Sequence, residues 1–583
     1  MSAPSQGSHK PRKRRKVDAY FGPPSGHGTI VKDRPAFPLV AFLWPAARGA
    51  VSQWVTIPLV LMVVGLFHWT TGFWGYSGFQ KPPMHGDFEA QRHWMEITIH
   101  LPVSQWYFYD LQYWGLDYPP LTAYHSWVLG KIGSLINAEW FALDASRGIE
   151  SQDLKVYMRA TSFISEYLIY VPPAVIGLRQ FARLNGATSW EATIAIVAFL
   201  LQPATILIDH GHFQYNTVML GFALASMSCM FRGRYAWSCV LFVASLGFKQ
   251  MALFYAPAVF SFLLGVCLFP RINFPRFLGI AVATIISFAG LYAPLLLGAL
   301  YESYRGIAPK GLPTPELLSN IPIELDSRAW YYPLILQTAQ SIYRIFPFAR
   351  GLFEDKVPNF WCALHTFHKL HQYSSVTVQR AALLATAASI TPPILILFAK
   401  PRKDLLPWGL AATAWGFFLC SYQVHEKNVL LPLMPMLMVL SGEGGLLPST
   451  RAWVGFANTL GTWTLFPLLK KDELRVPYAV LTLLWAYLLG LPPTSLSVYR
   501  GGSSGGLTAP TKILHLSFYL AMGVWHGFEA FVAPPQGKPD LWVVLNVLIG
   551  AAGFGFCYLW CLFRLAEEAG LFRRKRSGGD KTQ

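Results

Sequence analysis

Residues Ile280–Leu300 read IAVATIISFAGLYAPLLLGAL, an apolar run without one charged side chain. It has about the 20 residues a helix needs to cross the hydrocarbon of a bilayer. Val55–Phe67, Ile194–Ile208, Ala381–Phe398 and Val543–Phe563 approach the same length. Such runs recur from Val51 almost to Leu562 in a chain of 583 residues that is 53% hydrophobic, 15% aromatic and only 13% charged. This excludes an ordinary soluble domain and predicts an all-α polytopic membrane protein.

The net charge of +17 sits in the two ends and in short connections between apolar runs, the pattern of topology signals rather than of a nucleic-acid surface. The run His9-Lys10-Pro11-Arg12-Lys13-Arg14-Arg15-Lys16 resembles a nuclear localisation signal, but on a polytopic chain it reads as a cytosolic anchor. No cleavable signal peptide is expected, because the first long apolar run starts late. Of seven cysteines, Cys362 alone lies in a polar connection; the others sit in apolar runs without metal-ligand spacing.

Basic residues near spans stay cytosolic, so Lys10–Lys16 and Arg573–Arg576 place both ends in the cytosol and require an even number of spans. Walking the chain gives about 14. The predicted divisions are a basic tail (1–50), a front module (51–300) with a luminal loop (76–159), a long luminal loop (301–378), a rear module (379–563) and a cytosolic tail (564–583). Leu121–Ile136 carries His125, Ser126 and Lys131 and reads as an interfacial helix. The connection Lys470–Arg475 comes out luminal despite its bases, so a boundary is misplaced there or the cations serve an anionic ligand.

Four polar motifs then face one compartment: Gly86–Trp94, which holds Asp87, Glu89 and Arg92; Asp209–Asn216, which holds His212 and Gln214; Arg350–Lys356; and His425-Glu426-Lys427. Ionisable groups beside hydrocarbon are costly, and a cluster implies mutual pairing or a ligand. Transfer of a sugar from a phosphate lipid to a hydroxyl needs a carboxylate for the hydroxyl proton and cations for the departing phosphate. Asp87 fits the first role and is equally a helix cap. Asp117, in Leu116-Asp117-Tyr118-Pro119-Pro120, has the same two readings. His425 and Lys427 end a span where a lipid phosphate would lie, or form a juxtamembrane ion-pair cluster. His210 and His212 are close enough in sequence for a metal, yet i and i+2 face apart on a helix, which favours hydrogen bonding.

At these motifs the sequence resembles the dolichyl-phosphate-glucose dependent glucosyltransferases of asparagine-linked glycosylation, in the GT-C superfamily. Gly86–Thr98, Trp106–Asp110 and Trp114–Tyr124 resemble the branch that adds the first glucose; the second-glucose branch shares Asp-Tyr-Pro-Pro but departs from Glu-Ala-Gln-Arg-His-Trp. Gly211–Asn216, Phe248–Ala252, Gly351–Lys356 and Gln423–Lys427 extend the likeness over about residues 50–440, and Asn428 stands where the family has Ser.

The resemblance implies a GT-C fold in the endoplasmic reticulum membrane with a luminal active site. Its implied donor is dolichyl phosphate glucose and its acceptor a high-mannose oligosaccharide on dolichyl diphosphate, joined α-1,3 with inversion. Asp87 becomes the general base, His425 and Lys427 contact phosphate, and Asp117 contacts the acceptor. Glu89, Arg92, His212 and Gln214, which share the matching motifs, become candidate substrate contacts. No metal or soluble cofactor is expected, and no nucleic acid. A sister transferase of the pathway is the alternative; a lipid or solute transporter is a remoter one, since no internal repeat is visible.

Overall fold

In a computed structural model the described residues are 36–47, 52–307, 312–319, 326–346, 356–500 and 506–572. The basic runs Lys10–Lys16 and Arg573–Arg576, most of Arg350–Lys356 and the glycine-rich 501–505 lie outside them. Among the described residues every regular element is helical. Lipid offers the backbone no hydrogen-bond partner, and the helix is the local way to satisfy each N–H and C=O.

Among the described residues six helices are long and apolar enough to cross a membrane: Trp54–Thr71, Gln152–Leu184, Gln250–Leu268, Phe274–Tyr304, Ser375–Ala399 and Leu541–Glu568. A seventh is a broken pair, Ser189–Leu200 and Pro203–Phe213, bent by 40°. Shorter apolar helices include Asn216–Phe231, Tyr235–Phe248 and Arg475–Leu489. The expected span over 157–178 is the middle of a longer element, and the expected hairpin over 235–269 is present with Lys249 at its turn. Only 6% of the apolar window of Phe274–Tyr304 is buried within the protein, and Ile285 and Ile286 stand outward. A side so apolar and so uncovered suits acyl chains as its solvent.

Pro120–Ile136 is a helix packed closely on Gly86–His100, with Gly130 against Met95 and Ile99. The loop behind them is held by buried charge. Arg92, 0% exposed, donates to Glu89 at 2.6 and 2.8 Å, to Glu96 at 2.6 Å, to Ser146 Oγ at 2.6 Å and to the Trp140 carbonyl at 3.0 Å. Glu96 also accepts the Asp144 N–H at 2.7 Å, and Tyr113 donates to Glu89 at 3.0 Å.

The break in the bent pair falls at Gln202-Pro203. Proline cannot donate to the preceding turn, and the Gln202 side chain accepts from the Thr205 N–H at 2.6 Å instead. Beyond it Leu207–Phe213 is a π-helix, ending at Phe213 with φ 86°. This wide turn carries Asp209, His210 and His212 into the middle of the molecule, where all three are buried.

Candidate active site

Asp87 opens the Gly86–His100 helix, after His85 and Gly86 turn the chain through left-handed conformations (φ 56° and 67°). A Cβ on Gly86 would lie 2.7 Å from the Ser77 hydroxyl oxygen, so both φ and the close approach require glycine. Ser77 Oγ accepts the Asp87 N–H at 3.1 Å and fixes the start of the helix. The Asp87 carboxylate is no cap. It points across to other elements.

Its Oδ2 accepts from His212 Nε2 at 2.8 Å, Gln214 Nε2 at 2.6 Å and Lys427 Nζ at 2.5 Å. These donors come from the π turn, the extended residue after it, and the 3-10 turn Glu426–Val429. Burial alone would raise the Asp87 pKa, but the Lys427 ammonium and the His212 bond outweigh it and hold the carboxyl well below its usual range. The Lys427 and Asp87 side chains are 20% and 22% exposed, whereas His212 is 3% exposed. The ion pair is open to a ligand, and the imidazole behind it belongs to the wall.

A further row of polar groups supports Gln214. Lys249 Nζ donates to Gln214 Oε1 at 2.9 Å and to Asn216 Oδ1 at 2.7 Å, and Asn216 donates to Asp209 at 2.9 Å. Burial, followed by the repulsion of Lys427, lowers the Lys249 pKa to about 7. Lys249 also lies 4.6 Å over the Tyr118 ring, and the charge of Asp117 acts on it. Asp117 therefore stands at the margin of the cluster. His425 is exposed two residues before Lys427.

Glu89 and Arg92, named by their motif as substrate contacts, are committed to each other and to the loop at 138–146. His210 turns away from His212. It meets Glu166, which also accepts from His68 Nδ1 at 3.0 Å, while His68 Nε2 donates to the Leu200 carbonyl at 3.0 Å. The ligand atoms of His68, Glu166 and His210 lie within 4.8 Å of one another, the grouping among the described residues best suited in donor type to an ion. They already satisfy one another, and we read them as a buried brace.

Asp472 is the residue that motif reading missed. Its Oδ2 accepts from His212 Nδ1 at 2.5 Å. Around it, Lys470 pairs with Glu529, and the Lys471 carbonyl accepts from Lys81. The Lys470–Arg475 connection thus sits on the same side as Asp87, as the span count required, and Lys470 serves a protein carboxylate. Its misfit to the charge rule was the available signal.

Apolar helices around an ion-paired carboxylate that is open to a ligand mark a multi-pass membrane protein with a polar site at the ends of its spans. The chain belongs to the ALG6, ALG8 glycosyltransferase family, whose model matches residues 55–309 and 326–563. It is 42% identical over 521 residues to a protein of Schizosaccharomyces pombe named probable dolichyl pyrophosphate Man9GlcNAc2 alpha-1,3-glucosyltransferase, covering 89% of this chain and 93% of that one. The dolichyl pyrophosphate Man9GlcNAc2 alpha-1,3-glucosyltransferase of Saccharomyces cerevisiae is 42% identical over 552 residues, covering 91% and 95%. The Gallus gallus protein of that name is 34% identical over 545 residues, covering 88% and 98%.

Proposed function

We propose that this chain transfers glucose from dolichyl phosphate glucose to the terminal mannose of a dolichyl-diphosphate-linked high-mannose oligosaccharide, forming an α-1,3 bond. The observation that carries the reading is the convergence of Lys427, His212 and Gln214 on one oxygen of Asp87, in a chain so similar to transferases of that name. Asp87 is the general base, acting on the acceptor hydroxyl as the hydroxyl oxygen attacks the anomeric carbon. Lys427 receives the phosphate that departs, with His425 beside it. A single displacement inverts the β-linked donor.

The Lys427 contact bears on timing. While its ammonium rests on Asp87 the carboxylate is a weak base. A donor phosphate that draws Lys427 toward itself raises the basicity of Asp87 at the moment it is needed. Asp117 contacts the acceptor from the margin of the cluster. Transfer proceeds without a metal or soluble cofactor, since a phosphodiester leaves readily once its charge is held.

A polyprenyl carrier suits the surroundings. An apolar cleft of about 400 Å³, lined by Phe242, Val259, Leu263, Ile280 and Phe288, lies between the two helices that meet at Lys249 and the long helix Phe274–Tyr304. The full topology is read as GT-C type with about 14 spans, in the endoplasmic reticulum membrane, with the site luminal and both ends cytosolic.

The test is glucose transfer by purified full-length protein from synthetic dolichyl phosphate glucose to a lipid-linked high-mannose acceptor, comparing wild type with Asp87→Asn. Transfer by wild type, reduced at least about 100-fold in the variant, is expected. Equal transfer by both would move the base elsewhere, with Asp117 next. No transfer by well-folded wild type would point to a sister transferase with another donor.

A further inference from the structure

Asp472 is a buried carboxylate that the proposed chemistry leaves unused. It lies in the rear half of the chain, between the helices Phe466–Lys471 and Arg475–Leu489, and is 5% exposed. Its backbone N–H caps the first of these helices by donating to the Leu469 carbonyl at 3.2 Å, and that bond does not call on the side chain. Its backbone carbonyl presses on Gly75, where an added Cβ would come within 2.4 Å, so this turn is seated tightly on the start of the front loop. Seated there, its carboxylate meets His212.

His212 is held at both ring nitrogens: Nδ1 lies 2.5 Å from Asp472 Oδ2 and Nε2 lies 2.8 Å from Asp87 Oδ2. An ionised carboxylate only accepts hydrogen bonds, so a ring between two of them presents an N–H at each end. Take Asp472 away and the Nδ1–H has no acceptor; Asp87 still faces Nε2, but the ring loses the second bond that fixes its orientation. The imidazole is 3% exposed, and water does not replace the lost partner cheaply.

We propose that Asp472 is a positioning residue for the transfer, acting through His212 to hold the base carboxylate of Asp87 in one orientation. The arrangement has the logic of a carboxylate that orients an imidazole which in turn serves the reacting group. All three donors meet Oδ2, which turns the other oxygen, Oδ1, into the atom that receives the acceptor proton. Asp472 keeps that choice of oxygen by keeping the His212 ring in place. The inference rests on the reading of Asp87 as general base.

The experiment measures kcat and KM for glucose transfer with purified full-length protein in lipid nanodiscs. The proteins compared are wild type, Asp87→Asn, Asp472→Asn, Asp472→Ala, His212→Gln and the double variant Asp472→Asn with His212→Gln. The expected result is a kcat lowered about tenfold in Asp472→Asn and further in Asp472→Ala, with both KM values within about twofold of wild type. The double variant should lose no more than about threefold beyond His212→Gln alone, because the two residues act as one unit. Asp472→Asn with kcat within about twofold of wild type overturns the proposal. So does a double variant in which the two losses multiply, or a loss carried by KM or by the thermal midpoint alone. Wild type that transfers nothing overturns this and the functional reading together, whereas an active wild type with inactive Asp87→Asn and unimpaired Asp472→Asn overturns this one only.

Discussion

Lys427 donates to Asp87 Oδ2 across 340 positions of sequence, joining the front loop of the protein to the entrance of a rear helix. A cation placed there does two things with one contact. It pays the carboxylate's desolvation, and it waits at the edge of a site where an anionic lipid headgroup would arrive.

Replacing Lys427 by Met removes the attraction that opposes burial at Asp87. A carboxyl whose folded pKa lies below its unfolded value contributes stability that is present above the unfolded pKa and is lost as pH falls through the folded one. Without Lys427 the folded pKa rises toward the unfolded one, so less of this stability exists to be lost. Thermal midpoints should show Lys427→Met less stable than wild type at neutral pH, with the gap narrowing as pH falls through the carboxylate range; no gap at neutral pH would mean the pair adds nothing to the fold.

Lys249 works in the opposite sense. Its folded pKa of about 7 lies below the ordinary lysine value, so between the two the unfolded chain binds more protons and stability rises with pH. Stability of wild type should therefore climb from pH 7 toward pH 9 more steeply than that of Lys249→Met, read from thermal midpoints. Parallel curves would show that Lys249 stays charged.

Arg92→Met should destabilise by about 3–5 kcal/mol, because it leaves Glu89 and Glu96 buried without their cation. The loss belongs to folding, so the yield of monodisperse protein and its thermal midpoint report it. A stable Arg92→Met with a raised donor or acceptor KM would return Arg92 to the substrate.

Gly86→Ala is a test of placement. The left-handed φ and the 2.7 Å approach to Ser77 force the start of the helix to shift, and Asp87 shifts with it. Activity should fall at least about tenfold while the thermal midpoint moves by only a few degrees.

Chelation separates phosphate held by side chains from phosphate held by an ion. Transfer in excess chelator should match the untreated rate. Complete loss, restored by a divalent metal, would require a different account of the leaving group.

Among the described residues the apolar stretches fall mostly in helices, six or, with the bent pair, seven of them long and apolar enough to span, since the rule that makes them helical is local: a lipid-facing backbone must satisfy itself. Motif position likewise led to Asp87, His212, Gln214 and Lys427, which the structure joins at one oxygen. Legibility ended where chemistry depended on partners far along the chain. Glu89 and Arg92 carry the same residue types as a ligand site, and only the loop at 138–146 shows that they are occupied with each other. Asp472 lay inside a connection noticed for its lysines, and no spacing rule links it to a histidine 260 positions earlier. The π turn was invisible too, because helix width is set by what packs around it. Without it His210 and His212 could be read only as facing apart on an ordinary helix, each hydrogen-bonded to a partner the sequence did not name.

The seven-residue π turn Leu207–Phe213 also makes this region sensitive to length rather than to identity. A π turn holds more residues per turn than the roughly 3.6 of an α-helix, so deleting one position ahead of His212 lets the chain wind back toward α and changes where His212 falls around the axis. His212 would be carried off the line between two carboxylates, although no side chain had been altered. A frame-preserving deletion of one codon ahead of His212 should thus be as damaging as loss of the base itself.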